Sequence, residues 1–242
     1  MPNMKILPAG DCALTVEFGS EISEEINGRV MAMDDAIRSA NLYGVTETVP
    51  TYRSLLVCYN PRRVRFGLLS RRLRGLAGSL GGAVGRPKRV VEIPVCYGGE
   101  YGEDLADVAA HTGLTAEEVV RLHSSQDYLI YMLGFLPGFA YLGGMDKKLA
   151  TPRLATPRQA IPAGSVAIGG EQTGIYPLAS PGGWRLIGKT PVRPYDPDRA
   201  QPILYSTGDY IRFRPVSERE FREIEALAQA GRYECRITEG GR

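Results

Sequence analysis

Residues 131–144 read YMLGFLPGFAYLGG, and this stretch decides how the second half of the chain folds. It lies within residues 128–145, which carry no charged side chain and nominally reach the length of a membrane span. The glycines and Pro137 would leave backbone groups without partners in lipid, so we interpret the segment as a buried strand that runs into a tight loop. Beyond it, short strand-like runs alternate with glycine and proline turns as far as Pro202, which is typical of an all-β sandwich or barrel.

The N-terminal part of the chain follows a different pattern. A strand-like alternation comes first, and then apolar residues recur every three or four positions, the period of an amphipathic helix. The predicted inward faces include Ile22 in the first helix and Phe66 in the second. The predicted order is strand, helix, strand, strand and helix, at residues 12–18, 22–41, 45–49, 54–59 and 64–80.

A glycine-rich segment, residues 75–85, separates the two parts of the chain. Such a composition is typical of a linker, so we predict a boundary near residue 87 between domains at residues 1–87 and 88–242. The second part opens with a predicted strand at residues 89–95. It also contains two helices with capping boxes, and the second has an apolar face that includes Leu227. The capping pairs are Thr115 with Glu118, and Ser217 with Glu220. These patterns predict the α+β class.

The composition restricts the partners that we expect. A formal net charge of +2 gives no reason to expect nucleic acid or an anionic membrane. One local exception is a concentration of six arginines between Arg62 and Arg74, which can meet an acidic partner, although a solvated helix face is the simpler interpretation. The four cysteines form no C-x-x-C pair and the N-terminus lacks a signal-peptide pattern, so we expect a cytoplasmic protein.

Residues 183–190 read GWRLIGKT and match the phosphate-loop pattern G-x-x-x-x-G-K-T. In a phosphate loop, the residues after this pattern open a helix whose N-terminus faces the phosphates. Here Pro191 and Pro194 follow, so a helix cannot continue through the segment. We therefore predict that it is not a nucleotide site.

Two turns combine exposed backbone with a large aromatic side chain, at residues 134–139 and 180–184. Between them, glycines alternate with serine, glutamine, threonine and tyrosine. Glycine lets a ligand approach main-chain amides and an aromatic ring supplies a wall, so we predict a binding surface for a small polar ligand.

Motifs for a metal site or for catalysis are missing. His111 and His123 are the two histidines, and neither belongs to a metal-binding pattern, so we predict no metal. His123 either caps a helix or faces a pocket. Ser165 and Ser180 lack the G-x-S-x-G context of a serine nucleophile. We assign no catalytic residue.

Four segments together resemble the bacterial family of 5-oxoprolinase B subunits, also known as allophanate hydrolase subunit 1 or the KipI-type kinase inhibitor family. These segments are residues 8–11, 50–57, 131–144 and 151–191. The resemblance covers nearly the whole chain. It implies a small N-terminal α/β domain followed by a cyclophilin-like β-barrel domain, without prolyl isomerase activity.

The resemblance also implies a role as one component of a multi-subunit, ATP-dependent 5-oxoprolinase, a hydrolase that opens 5-oxo-L-proline to L-glutamate. The implied partners are the C-type and A-type subunits of that enzyme. Because no ATP site is visible in this chain, we expect the complex to use ATP, this chain to bind no cofactor, and the isolated chain to be inactive.

Residue types indicate how a small carboxylate or carbonyl can be held. Hydroxyls, a carboxamide and backbone amides donate hydrogen bonds, a guanidinium pairs with a carboxylate, and aromatic rings form apolar walls. The candidate substrate-binding residues are His123, Phe135, Arg158, Ser165, Gln172, Tyr176, Ser180, Gly182, Gly183 and Trp184.

Two alternatives share these motifs. One is a KipI-type inhibitor that docks on a sensor histidine kinase, and the other is a protein related to allophanate hydrolase or urea carboxylase. We prefer the 5-oxoprolinase component, because removal of a spontaneously formed glutamine product is a general need of cells.

Overall fold

The computed structural model describes residues 4–80 and 87–240, and the residues on either side of the gap form two compact units. Each unit combines helices with a largely antiparallel sheet. Within the described residues, no helix is both long enough and apolar enough to cross a membrane.

The first unit is a four-stranded antiparallel sheet with two helices. The strand order is β1-β2-β4-β3, and α1 packs against β3, β4 and α2. Its core is formed by side chains such as Leu14, Val30, Leu55 and Leu69. The elements are β1 (Lys5–Pro8), β2 (Ala13–Glu17), α1 (Glu24–Ala40), β3 (Val45–Pro50), β4 (Ser54–Tyr59) and α2 (Phe66–Ser79).

The predicted strands and helices of this unit are present, with three differences. Strand β1 was not predicted, because its four residues are mostly exposed and show no alternation. Ile22 is 61% exposed because it precedes α1, which begins after its cap Ser23. Phe66 opens α2 and is also exposed. The predicted linker, residues 75–85, begins inside α2, and its last five residues lie outside the described residues.

The second unit is built on an eight-stranded sheet that is nearly closed into a barrel. The strand order is β10-β9-β12-β5-β13-β6-β7, with β14 also paired to β5, and β10 lies beside β7. Strands β5 and β13 run parallel, and the other pairs are antiparallel. The strands are β5 (Lys88–Tyr97), β6 (Asp127–Leu133), β7 (Ala140–Gly143), β8 (Arg158–Ile161), β9 (Ser165–Gly169), β10 (Gln172–Ile175), β11 (Ser180–Gly182), β12 (Arg185–Lys189), β13 (Tyr210–Pro215) and β14 (Ile237–Gly240).

Three helices and a two-stranded sheet complete this unit. The helices are α3 (Leu105–Thr112), α4 (Ala116–Ser124) and α5 (Glu218–Gln229), and β8 pairs with β11 apart from the main sheet. The capping box predicted for α4 is confirmed. In α5, Ser217 caps the helix as predicted, but the Glu220 carboxylate accepts from Arg214 instead. Leu227, predicted to face inward, is 38% exposed.

Candidate functional site

An aromatic cluster occupies one side of the barrel. We give this name to Phe139, Tyr176 and Trp184, whose rings meet edge to face at centroid separations of 5.6–6.2 Å. All three are buried, with Ile161 and Leu186 packed around them. Such edge-to-face contacts fix the mutual orientation of the rings. The cluster is therefore a rigid apolar platform.

Glycines in the neighbouring strands make room for the indole. An added Cβ at Gly169 of β9 would overlap the Trp184 ring, and one at Gly174 of β10 would lie 3.3 Å from its Cζ3 atom. The glycine density that predicted a ligand surface therefore also serves packing.

The loop between β6 and β7 places Phe135 above this platform. Phe135 is 65% exposed and its ring stands edge to face on Phe139 at 5.5 Å. Its φ of 67° lies in the left-handed region, which is unfavourable for a bulky side chain. Hydrogen bonds within the loop hold this conformation, including Gly134 N–H to the Phe139 carbonyl at 3.1 Å. An exposed aromatic on strained backbone is typical of a functional surface.

The second predicted turn brings Ser180, Gly182 and Gly183 to the same region. In the β8–β11 pair, Ser180 faces Ile161 and Gly182 faces Arg158. A Cβ on Gly182 would crowd the Tyr176 hydroxyl, and burial raises the pKa of that phenol. The Ser180 hydroxyl is buried and has no hydrogen-bond partner among the described residues. An unsatisfied buried hydroxyl is unfavourable unless something else binds it.

Arg158 already forms ion pairs with two carboxylates of its own chain. Its Nε lies 3.0 Å from Glu103 and its Nη2 lies 2.8 Å from Asp104. The hydrogen bond to Asp104 raises the pKa of the guanidinium. The remaining nitrogen, Nη1, is buried without a partner among the described residues. The two N–H groups of Nη1 are therefore left for a ligand oxygen.

Asp104 connects three elements by hydrogen bonds and by its position before α3. It precedes α3, accepts from Arg158 on β8, and accepts from the Leu186 N–H of β12 at 2.7 Å. Neither Asp104 nor Glu103 was predicted, because they lie more than fifty residues from Arg158 and no local motif marks them.

His123 lies in the core of the barrel. It is fully buried, stacks on Phe213 at 4.5 Å, and both of its ring nitrogens have partners. The Thr173 hydroxyl donates to Ala167, so it accepts from Nε2–H at 2.7 Å, and Nδ1 accepts from the Tyr97 hydroxyl at 2.8 Å. These contacts assign the neutral Nε2–H tautomer. Burial lowers the pKa of His123 to about 3.

The other predicted polar residues lie on β9 and β10. Ser165 is buried and donates to the Pro162 carbonyl at 2.8 Å. Gln172 begins β10, opposite Gly169. The structure thus brings Arg158, Ser180, the two turn glycines and the aromatic cluster together, whereas His123 lies within the core.

A cavity of about 150 Å³ lies next to Pro177, between the 163–164 turn, residues 189–194 and α5. Lys189, Arg193 and Glu225 line it, and none of these side chains forms an ion pair or hydrogen bond within the described residues. Lys189 ends β12 and no helix follows it, as expected for a false phosphate-loop match. The sequence did not predict this cavity, because the residues of α5 that line it are distant in the chain from the 163–164 turn.

No group of three His, Cys, Asp or Glu side chains within residues 4–80 and 87–240 is arranged to hold a metal ion.

Comparison with known proteins agrees with this architecture. Residues 4–205 match the family model described as carboxyltransferase domain, subdomain C and D. The chain is 42% identical over 222 residues to the B subunit of 5-oxoprolinase from Bacillus subtilis strain 168, covering 88% of this chain and 92% of the relative. The chain belongs to the family of 5-oxoprolinase B subunits. A second member of this family, from Escherichia coli O157:H7, is 44% identical over 210 residues and covers 86% of this chain and 94% of that protein.

Solved structures show the same fold for this member of the 5-oxoprolinase family. The crystal structure of TTHA0988 superimposes with a TM-score of 0.76 at 43% identity and covers 85% of this chain. This chain spans only 40% of the TTHA0988 chain. The K. lactis urea amidolyase superimposes with a TM-score of 0.80 at 19% identity, which shows a shared fold. The matched region spans 98% of this chain and 16% of the urea amidolyase chain.

Proposed function

We propose that the chain is the B subunit of a multi-subunit, ATP-dependent 5-oxoprolinase that opens 5-oxo-L-proline to L-glutamate. The observation that carries this proposal is the 42% identity to a named 5-oxoprolinase B subunit, across 92% of that protein. The partners are the A-type and C-type subunits of the same enzyme. The isolated chain is inactive, because the reaction needs groups that the partners supply.

The chemistry explains the need for several subunits. A five-membered lactam is a stable amide, and water attacks it only after the carbonyl is activated, as phosphorylation of its oxygen by ATP achieves. Donors must then hold the developing oxyanion. In this proposal, the present chain contributes donors and an apolar wall, and the complex contributes ATP hydrolysis.

Two unsatisfied donors support a substrate role for the β8–β11 pair. Ser180 Oγ and Arg158 Nη1 are buried, have no partner among the described residues, and belong to paired strands. The substrate offers acceptors of matching chemistry, a carboxylate and a lactam carbonyl. We assign these donors to substrate oxygens, with Trp184 and Tyr176 as the wall. Phe135, Gln172 and the turn glycines Gly182 and Gly183 complete the surface.

The test is glutamate release from 5-oxoproline and ATP. It is measured with the chain alone and with the purified A-type and C-type subunits added. We expect activity from the assembled mixture and none from the chain alone. An assembled mixture that releases no glutamate would overturn the proposal and direct the search to a sensor kinase.

Within the active mixture, Ser180→Ala separates binding from folding. Removing an unsatisfied hydroxyl leaves stability unchanged or raised, while KM for 5-oxoproline rises about tenfold. For Arg158→Ala, Asp104→Ala is the control, because it breaks the same ion pair and keeps the guanidinium. A larger loss of turnover in Arg158→Ala than in Asp104→Ala supports the assignment, and equal losses contradict it.

We further propose that residues 1–87 form a separate α/β domain and that residues 88–242 form a cyclophilin-like barrel domain. The two hydrophobic cores, one on each side of the gap, support this division. Calorimetry should then resolve two unfolding transitions, whereas a single two-state transition contradicts it.

A further inference from the structure

The exposed side of α2 and the residues just before the helix carry positive charge that the described part of the chain does not neutralise. Within the described residues, none of the guanidinium groups at positions 62–74 forms an ion pair or a hydrogen bond, and all six side chains are exposed. By contrast, the exposed Arg219 and Arg222 of α5 pair with Glu223 and Glu218. We call the six side chains the arginine face, and its members are Arg62, Arg63, Arg65, Arg71, Arg72 and Arg74.

The positions of these arginines are unfavourable for the stability of α2. Cations are unfavourable at a helix N-terminus, where the dipole is positive. Yet α2 has no acidic residue in its first turn, and its N-cap Arg65 makes no side-chain capping bond. Arg71 and Arg74 are like charges at a spacing of three, which also destabilises a helix. Folding of the unit therefore does not explain the arginine face.

Three glycines on the exposed side of α2 also indicate a contact surface. Gly67, Gly75 and Gly78 share the exposed side with Leu68, opposite the buried Leu69. At each glycine, an added Cβ would meet nothing within 4 Å. Alanine would therefore fit and would favour the helix. Glycine in such positions leaves the backbone open to close approach by another molecule.

We propose that the arginine face and these glycines form a docking surface for an acidic helix of one of the other proteins of the complex. The unpaired positive charges determine the sign of the partner, and the glycines let its backbone approach closely. A second copy of this chain would bring a second arginine face to the first, so self-association here is disfavoured. The exposed side also lacks the broad apolar face of a membrane-binding helix. The identity of the partner rests on the proposed function.

The experiment uses the full chain and measures its affinity for the purified A-type and C-type subunits by calorimetry. Arg71→Gln with Arg74→Gln removes two unpaired charges, and Arg219→Gln with Arg222→Gln removes two paired charges from α5 as the matched control. We expect the α2 variant to raise Kd about tenfold and to flatten its salt dependence, and the α5 variant to leave both unchanged.

Glycine variants make the test independent of folding. Gly75→Ala should raise thermal stability yet weaken binding, because the new methyl group lies in the interface. Gly28→Ala in α1, also with open space around the added Cβ, should raise stability and leave binding unchanged.

The failures of the two proposals can be told apart. If the wild-type proteins assemble and release glutamate but the α2 variants bind normally, the docking surface is wrong and the function stands. If the wild-type chain binds neither the A-type nor the C-type protein, both proposals are wrong. Binding of a mixed-sequence RNA that the α2 variant loses, with its affinity for both proteins unchanged, also overturns the docking surface.

Discussion

The neutral, buried His123 makes the stability of the barrel sensitive to mild acid. Its folded-state pKa of about 3 lies below the ordinary value of 6.5. Between these values the unfolded chain binds a proton that the native chain does not bind, so stability falls as the pH is lowered. The physical cause is that protonation would place a charge in the core and a second N–H against the Tyr97 hydroxyl, which already donates to this ring.

The size of the effect follows from the two pKa values. At pH 5 the unfolded histidine is almost fully charged, 1.5 units below its ordinary pKa of 6.5, and each unit corresponds to about 1.4 kcal/mol. The expected loss between pH 7 and pH 5 is therefore about 2 kcal/mol. His123→Phe keeps the stacking on Phe213 but leaves the Tyr97 and Thr173 hydroxyls without this partner, at a cost of about 2 kcal/mol at pH 7. The stability curves of the two proteins should then meet near pH 5.

Urea unfolding at both pH values measures these differences. Wild type should lose about 2 kcal/mol more than His123→Phe between pH 7 and pH 5. His111→Gln is the control, because it removes the exposed histidine and leaves His123 in place. If wild type and His123→Phe lose the same amount, the buried neutral imidazole is not the source of the acid sensitivity and the reasoning is refuted.

Three further predictions concern the framework of the site. Asp104→Ala should destabilise the protein by about 3–5 kcal/mol in urea unfolding, because it removes one of the two carboxylates that pair with Arg158 and leaves the Leu186 N–H without its partner. Asp107→Ala, at an exposed pair, should cost less than about 1 kcal/mol. Equal losses would contradict the bridging role of Asp104. Gly169→Ala should displace the indole of Trp184, the single tryptophan, and shift its fluorescence, and an unchanged spectrum would mean that the ring does not pack there. Tyr205→Phe should lower the melting temperature, since its buried hydroxyl donates to the Gly138 carbonyl at 2.8 Å, by an amount equal to about 1 kcal/mol.

Periodicity and capping patterns were sufficient to predict α1, α2, α4 and α5 and four strands, whereas α3 was not predicted and the later barrel strands were predicted only as short strand-like runs. The alternation in residues 12–18 and the helical stripe ending near Asn41 reflect burial of one face, a local property that sequence spacing records. The residues that were wrongly predicted to face inward lie at or near helix ends. Ile22, Phe66 and Leu227 continue the apolar stripe, but near a helix terminus the neighbouring elements no longer cover it. The spacing of apolar residues alone cannot show at which residue the neighbouring elements stop packing against the helix.

The candidate site was predicted less completely, because its contacts join distant segments. The turn at residues 180–184 was recognisable from its glycines and Trp184. The carboxylates that occupy Arg158, and the burial of His123 behind Tyr97, depend on which strands become neighbours. A residue type indicates what a side chain can bind, whereas its partners decide how much of that capacity is left for a ligand.

Two sets of glycines in this protein call for different physical explanations. Those of the barrel, such as Gly143 and Gly169, face aromatic rings that would collide with any Cβ, so packing within the chain explains them. Those on the exposed side of α2 face open space, where alanine would fit and would make a better helix. Nothing in the described chain requires glycine at these positions, and the adjoining arginines have no partners within the described residues. A molecule that binds to this face would explain both features. Raised stability together with weakened binding, as expected for Gly75→Ala, is a combination that an intramolecular role for these glycines does not produce.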